Sequence, residues 1–422
     1  MNKKVIIGIG ALIVLLAAVT MYILLGGRDG KNEGGIVEWF ERGRQGEGFA
    51  SPEDMEKIFA EGMTPEAELK AYTLYARYPH DSRPLSKNMS DLTDPWNIKN
   101  VPLPILSGSP INSENAMREF IENLKKEGKT ESQIEERIKD LVKSSPVYLF
   151  TTNRIIITAN EVFTAGLKIE RGGEVVSYSV SSAQIIGDPV NGSPGLGSAA
   201  FNDAGTEGDS VSGDKISTFS WKSPGADKKY WGSLTLRVKV RPEGSPGEVT
   251  VEQQFYSSPS APARFSGNFQ ESLVDGSLVI ETVVDVSKEC RYQIYANLYS
   301  VDENEPTHVA HVNRVLSPGR QTVAFTFFGK IFRDGGYEGK FRLQDLRGSC
   351  ENMPFPPSWI GDPTKIQAIQ NAKPLEEPLL LYMPFTNATY VTKEYSASQF
   401  SDREWTSPEK EEKLRMLREA VR

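Results

Sequence analysis

Three stretches hold side chains whose types and spacing could do chemistry. His80-Asp81-Ser82 contains the three residue types of a hydrolytic triad, but consecutive residues cannot converge on one substrate atom from different directions, as a triad must. With Arg83-Pro84 after it, this stretch reads as a structural turn in which Arg83 pairs with a nearby carboxylate. His308 and His311 form an H-x-x-H. Within a strand these positions point to opposite faces, so they do not hold one metal ion, and exposed places on an edge strand are expected. Asp203, Glu207, Asp209 and Asp214 lie among glycines, as the ligands of calcium loops do. Their spacing fits neither the EF-hand nor the glycine-aspartate nonapeptide, so a flexible inter-strand loop is expected and calcium stays an open alternative.

Trp221, Tyr230 and Trp231 give two readings, an aromatic platform for a sugar or peptide, or core. The chain contains no P-loop, dinucleotide fingerprint, HExxH or GxSxG. No residue is assigned to catalysis, to a metal or to a cofactor, and a non-enzymatic protein is expected.

The elements that would position these residues begin with Val5 to Leu25, an uncharged apolar run. At about 1.5 Å per residue it covers about 30 Å, the thickness of a bilayer's hydrocarbon core. Lys3 and Lys4 flank it, and the run exceeds a secretory h-region without a clear small-x-small cleavage site. An uncleaved signal anchor is expected, with a cytoplasmic tip and the body outside. Whether it is ever cleaved stays open.

The chain has 422 residues and a formal net charge of −8, which becomes −10 without Lys3 and Lys4. An acidic body is a poor match to nucleic acid or to an anionic bilayer surface. Two cysteines, Cys290 and Cys350, cannot by themselves build a zinc or iron–sulfur site. Both fall at strand ends of one module, and in an oxidising compartment a disulfide between them would add roughly 3–4.5 kcal/mol; buried free thiols are the alternative.

Residues 1–27 are thus read as cytoplasmic tip and transmembrane anchor. Residues 28–145 form a stalk with helices at Ser51–Ala60 and from Thr64, and an αα-hairpin from Asn112 onward. At Pro146 the pattern changes to short strands rich in β-branched and aromatic residues. Residues 146–257 and 263–350 each read as an antiparallel β-sandwich, joined by the linker Ser257–Pro262, and 351–422 as an extension ending in a helix capped by Ser407.

The stretch TNRIIITANEVFTAGLKIERGGEVV, a strand, a turn and a second strand ending in a paired-glycine hairpin, resembles the opening of bacterial extracytoplasmic immunoglobulin-like domains. QTVAFTFFGKIFRDGGYEGKFRLQDLRG resembles the closing strands of another, an aromatic strand leading through an Asp-Gly turn to an edge strand. The resemblance covers Pro146 to Cys350 and implies two tandem immunoglobulin-like sandwiches in a mainly β protein. It transfers no site residues. The function expected is a membrane-anchored structural or protein-interaction module in the periplasm, bound to an envelope protein of unknown identity and not to nucleic acid. A carbohydrate- or peptide-binding module using Trp221, Tyr230 and Trp231 is the alternative.

Overall fold

The computed structural model describes residues 64–97, 114–130, parts of 132–140, and 146–422 apart from 159–160, 188–194, 224–227 and 246. Val5–Leu25 and the helix expected at Ser51–Ala60 lie outside the described residues. Among the described residues no helix is long and apolar enough to cross a membrane. The described residues form a mainly β fold with four sheets and a few short helices.

Helix α1 (Pro65–Tyr75) starts where Thr64 Oγ1 accepts from the Ala67 amide at 3.1 Å, with proline at its first position. Strand β1 (Ser82–Pro84), the single-turn α2 (Ser90–Thr93) and α3 (Glu114–Lys126) follow. The partner helix expected after Thr130 is described only in part.

The first β unit runs through β2 (Val147–Thr152), β3 (Ile156–Thr158), β4 (Val162–Arg171), β5 (Glu174–Val175), β6 (Tyr178–Ile186), β7 (Gly195–Ser198), β8 (Ala200–Asn202), β9 (Ser217–Lys222), β10 (Gly232–Pro242) and β11 (Val249–Ser258). One of its sheets has the order β2-β4-β9-β8, with β5 hairpinned onto β4, and the other β3-β11-β10-β6-β7. Period-two alternation explains the pairing of the sheets. Leu234, Leu236, Val238 and Val240 of β10 are buried, while Lys239 and Arg241 point outward. They share one core with Phe163, Leu167, Phe219 and Trp221 from the opposite sheet. Each fully buried apolar side chain contributes about 1.5–3 kcal/mol. The β4–β5 hairpin turns on Gly172 and Gly173, both at positive φ (62° and 87°), as a two-residue type I′ turn requires.

The second β unit contains β12 (Ala263–Val274), β13 (Ser277–Val286), β14 (Cys290–Ser300), β15 (Pro306–Leu316), β16 (Gly319–Phe327), helix α4 (Gly329–Gly335), β17 (Phe341–Glu351), helix α5 (Ile366–Gln370), β18 (Leu380–Tyr382), β19 (Tyr390–Val391) and helix α6 (Pro408–Ala420). A three-stranded sheet, β12-β13-β16, faces β1-β15-β14-β17-β18, in which β19 also pairs with β17. Between them lie Ile280, Tyr292, Ile294, Phe325, Phe332 and Phe341, all fully buried.

Four expectations need correction. Asp334-Gly335 is not a hairpin turn, because GKIFRDG winds into α4, whose chain reverses at Gly336 (φ 64°). Strand β17 is internal, since β18 and β19 add to its outer side. Ser257 and Ser258 belong to β11, so the linker between the units is shorter than expected. Residues 64–97 are no free stalk: Ser82, Arg83 and Pro84 pair with Ala310, Val309 and His308, and Tyr78 lies in the second core. A three-residue strand carries too little periodic pattern to be seen in sequence, and its partner is remote.

The disulfide Cys290–Cys350 closes a separation of 60 residues and joins the neighbouring strands β14 and β17, with both sulfurs inside the core. Chain entropy over a loop of that length gives about 4 kcal/mol. Urea unfolding with and without reductant is expected to show a loss of that order, and thiol labelling of the unreduced native protein is expected to modify neither cysteine.

Candidate functional site on the second sheet

A connected set of polar side chains lies on the outer face of the second unit's large sheet. Along β14, Ile294, Ala296 and Leu298 face the core, so Tyr295, Asn297 and Tyr299 face outward by alternation. Asn297 and Tyr299 are nonetheless buried. Residues 91–97, entering from α2, lie over that face: Asn297 Nδ2 donates to the Leu92 carbonyl at 2.7 Å, and Asn297 is fully buried.

The register between β14 and β17 shifts beside Asn297, and Asp345 takes a left-handed conformation (φ 56°). This bulge turns the Asp345 carboxylate inward, where it accepts from Asn297 Nδ2 and from the Tyr299 hydroxyl, each at 3.0 Å. Arg347 Nη1 donates to the Asp345 carbonyl at 2.9 Å and to Asn297 Oδ1 at 3.3 Å. Burial lowers the Arg347 pKa, with Asp345 opposing the shift, and burial together with Asp345 raises that of Tyr299. The ladder continues across the sheet as His311 stacked on Tyr295 (4.3 Å) and Arg347 on the Tyr295 ring (5.3 Å). Arg347 Nη2 and His311 Nε2 are buried without a protein hydrogen-bond partner.

On the core face of the same strand, His308 is fully buried, not exposed as the sequence suggests. Its ring lies 4.1 Å from Phe332 and 5.8 Å from Phe327. His308 Nδ1 is 2.9 Å from the Thr307 hydroxyl, a nucleophile-and-base contact in form. Thr307 is also fully buried and its hydroxyl donates to the Leu298 carbonyl at 3.0 Å, so no substrate reaches it. Burial depresses the His308 pKa to about 3 and keeps the ring neutral. His308 and His311 do point to opposite faces, so they hold no common metal ion.

The other sequence candidates separate. His80-Asp81-Ser82 leads into β1, where Ser82 Oγ is fully buried and accepts from the Phe328 amide at 2.9 Å. Among the described residues Arg83 meets no carboxylate; it donates to the Tyr75 and Tyr78 carbonyls (2.7 and 3.1 Å) and lies on the Tyr75 ring, closing the C-terminal end of α1. In the acidic loop, Asp209 accepts from the Gly205 amide, Asp203 from Gly213 and Asp214 from Ile216, so these carboxylates fold their own loop. Among the described residues no three His, Cys, Asp or Glu side chains converge as a metal site.

Trp221, Tyr230 and Trp231 do not form an exposed platform. Trp221 is 7% exposed and packs edge-on against Phe255 from the facing sheet, because it lies on β9, a strand the polar surroundings concealed. Tyr230 rests against the same core and Trp231 is half-buried.

A second buried network holds the N-terminal segment. Asp334 on α4 accepts from Tyr78 OH (2.7 Å), Lys330 Nζ (3.1 Å) and Arg77 Nη2 (3.3 Å). Burial and Asp334 both raise the Tyr78 pKa. From the other side the Trp405 amide donates to the Arg77 carbonyl, and Lys410 Nζ to the Trp405 carbonyl. Helix α6 thereby comes beside α1, with Leu414 and Leu417 buried.

Residues 262–348 match a domain of unknown function, the DUF4785 C-terminal domain. A DUF4785 family protein from Legionella pneumophila subsp. pneumophila str. Philadelphia 1 is similar at 16% identity and a TM-score of 0.34, covering 49% of this chain and 54% of that one. The matched region thus spans about half the length of the Legionella protein. A marsupial T cell receptor aligns at 12% identity and a TM-score of 0.19, over 42% of this chain and 94% of that one. None of the curated proteins matches the sequence.

Two substitutions test this reading. Trp221→Ala is expected to lower stability by about 3–5 kcal/mol in urea unfolding, and Trp231→Ala by much less. Asn297→Ala leaves buried partners unsatisfied; a loss of about 2–3 kcal/mol is expected, with limited proteolysis cutting within residues 85–97.

Proposed function

We propose that the protein is a single-pass, membrane-anchored structural or protein-interaction module of the bacterial envelope. Val5–Leu25 crosses the inner membrane, and the two β units stand in the periplasm and engage another envelope protein. The module acts without catalysis, without a cofactor and without nucleic acid.

The observation that carries this reading is how the polar side chains are used. The buried Asn297–Asp345–Tyr299–Arg347 set and the Asp334 network tie chain segments to one another. The Thr307–His308 pair is sealed from substrate. Such groups build a rigid scaffold, which suits a protein whose role is to present surfaces. The disulfide supports an oxidising compartment.

Strand order supports the finer immunoglobulin-like reading. In the first unit the opening chain divides between both sheets, as β2 and β3, and β3 runs parallel to the closing strand β11. In the second, β12-β13-β16 faces β15-β14-β17-β18, with the chain crossing repeatedly between sheets. The disulfide departs from that pattern, since it joins neighbours in one sheet.

A reporter active only outside the cytoplasm, fused after Arg422, is expected to be active. A stably produced but inactive fusion refutes the periplasmic placement. Crosslinking of the full chain in membranes is expected to capture an envelope protein, and capture of none refutes the interaction role.

A further inference from the structure

The chain contains three histidines, and all of them fall at one edge of the second unit. His80 lies two residues before β1. His308 is the β15 residue opposite Pro84. The His311 amide donates to the Asp81 carbonyl at 2.8 Å, and the Leu85 amide to the Thr307 carbonyl at 3.0 Å, so the hydrogen bonds at both ends of β1 end on a histidine or its neighbour. His308 lies beneath β1 on the core face and His311 beside it on the outer face.

The pairing of the short strand covers three residues. On its core face Ser82 Oγ accepts from the Phe328 amide, and Arg83 donates to the Tyr75 and Tyr78 carbonyls. His308 Nε2 lies 3.4 Å from the carbonyl of the same Phe328. Strand and histidine therefore grip one residue, at the start of α4.

We propose that this edge is an acid-operated latch: protonation of the histidines beneath and beside β1 detaches residues 80–85 from β15 while both sheets of the second unit stay closed.

The chemistry follows from what surrounds each ring. Around His308, β1 presents Ser82 and Pro84, β14 presents Leu298, β16 presents Phe327, and α4 presents the Phe328 backbone and Phe332. Among the described residues no carboxylate faces it. Of the charged residues of α4, Lys330 and Asp334 pair with each other, Asp334 also pairs with Arg77, and Arg333 is exposed. An imidazolium in that apolar setting loses its hydration with no counter-charge. His311 stacks on Tyr295, with Arg347 on the same ring, and faces His80 and Asp81 from the segment before β1. Burial and His80 lower the His311 pKa, and Asp81 opposes them.

The sign follows directly. His308 in the closed state has a pKa of about 3, against 6.5 for a free histidine, so the open state binds more protons between those values. The closed latch is fully favoured above about pH 6.5 and loses stability as pH falls. One proton taken up on opening raises the opening equilibrium by up to about tenfold per pH unit within that window.

Hydrogen exchange of the full chain in detergent micelles, read by mass spectrometry from pH 7.5 to 4.0 with times corrected for intrinsic rates, tests the proposal. Peptides carrying the Leu85 and His311 amides are expected to lose about 100-fold in protection between pH 6 and 4, while peptides from β10 and from the centre of β13 keep theirs. Unchanged protection at Leu85 and His311 overturns the latch. So does simultaneous loss in all peptides, which is ordinary acid unfolding. His308→Phe keeps a ring between Phe327 and Phe332 but takes no proton, and is expected to remove at least half of the pH slope. His308→Gln gives the same readout should the phenylalanine variant not fold, and an unchanged slope in either variant overturns the role of His308.

Discussion

The antiparallel pairing of Ser82–Pro84 with the outer side of β15 is the constraint that ties the segment before the first β unit to the second unit. It brings a segment from before the first β unit into the sheet of the second. Once β1 is seated, Tyr78 reaches Asp334, α2 lies across Asn297, and Trp96 reaches the space between the units. There Trp96 meets Phe385 at 5.2 Å, Arg154 lies on the same ring, and the Ile155 amide donates to the Trp96 carbonyl. Tyr256 and Ser258 of β11 complete the seam with hydrogen bonds to Leu380 and Tyr382. The first unit is therefore an insertion between two parts of the second.

Much of the β content was legible because period-two burial leaves a mark. The β10 stretch, with Leu234, Leu236, Val238 and Val240 inward, is recognisable without a structure. So are the Gly172-Gly173 hairpin and the two helices whose caps, Thr64-Pro65 and Ser407-Pro408, follow simple hydrogen-bond rules. Strands β7, β8 and β9 escaped because glycine, serine and asparagine dilute their pattern, and with β9 went the correct place of Trp221. The polar cluster escaped for a different reason. Tyr295, Asn297 and Tyr299 alternate with apolar residues as a wetted face would, and nothing local says that residues 91–97 cover them. The burial of His308 is hidden in the same way, since it comes from α4, which no strand pattern announces, and from β1, which is remote along the chain.

The two buried networks differ in how they balance charge. Asp334 is matched by two cations and a hydroxyl, and one of the cations, Arg77, also reaches Glu404 at 3.6 Å. Removing one partner from such a set is costlier than the set is stabilising, because the remainder is left buried and unpaired. In the cluster around Asn297 a neutral amide bridges a carboxylate and a guanidinium, and its register depends on the bulge at Asp345. A bulge of this kind fixes one alignment of β14 against β17 and excludes its neighbours.

The inserted position of the first β unit also sets an order of events during synthesis. Ser82 leaves the ribosome long before Ala310, its partner, exists. At roughly 5–20 residues per second, the interval is on the order of 10–45 s, ample for the intervening unit to fold. Through that interval α1, Tyr78 and β1 have no sheet to join, and they must remain unpaired beside a folded neighbour with open strand edges of its own. The nascent chain thus passes through an obligatory state in which the first β unit can fold while α1 and β1, made before it, still await their sheet.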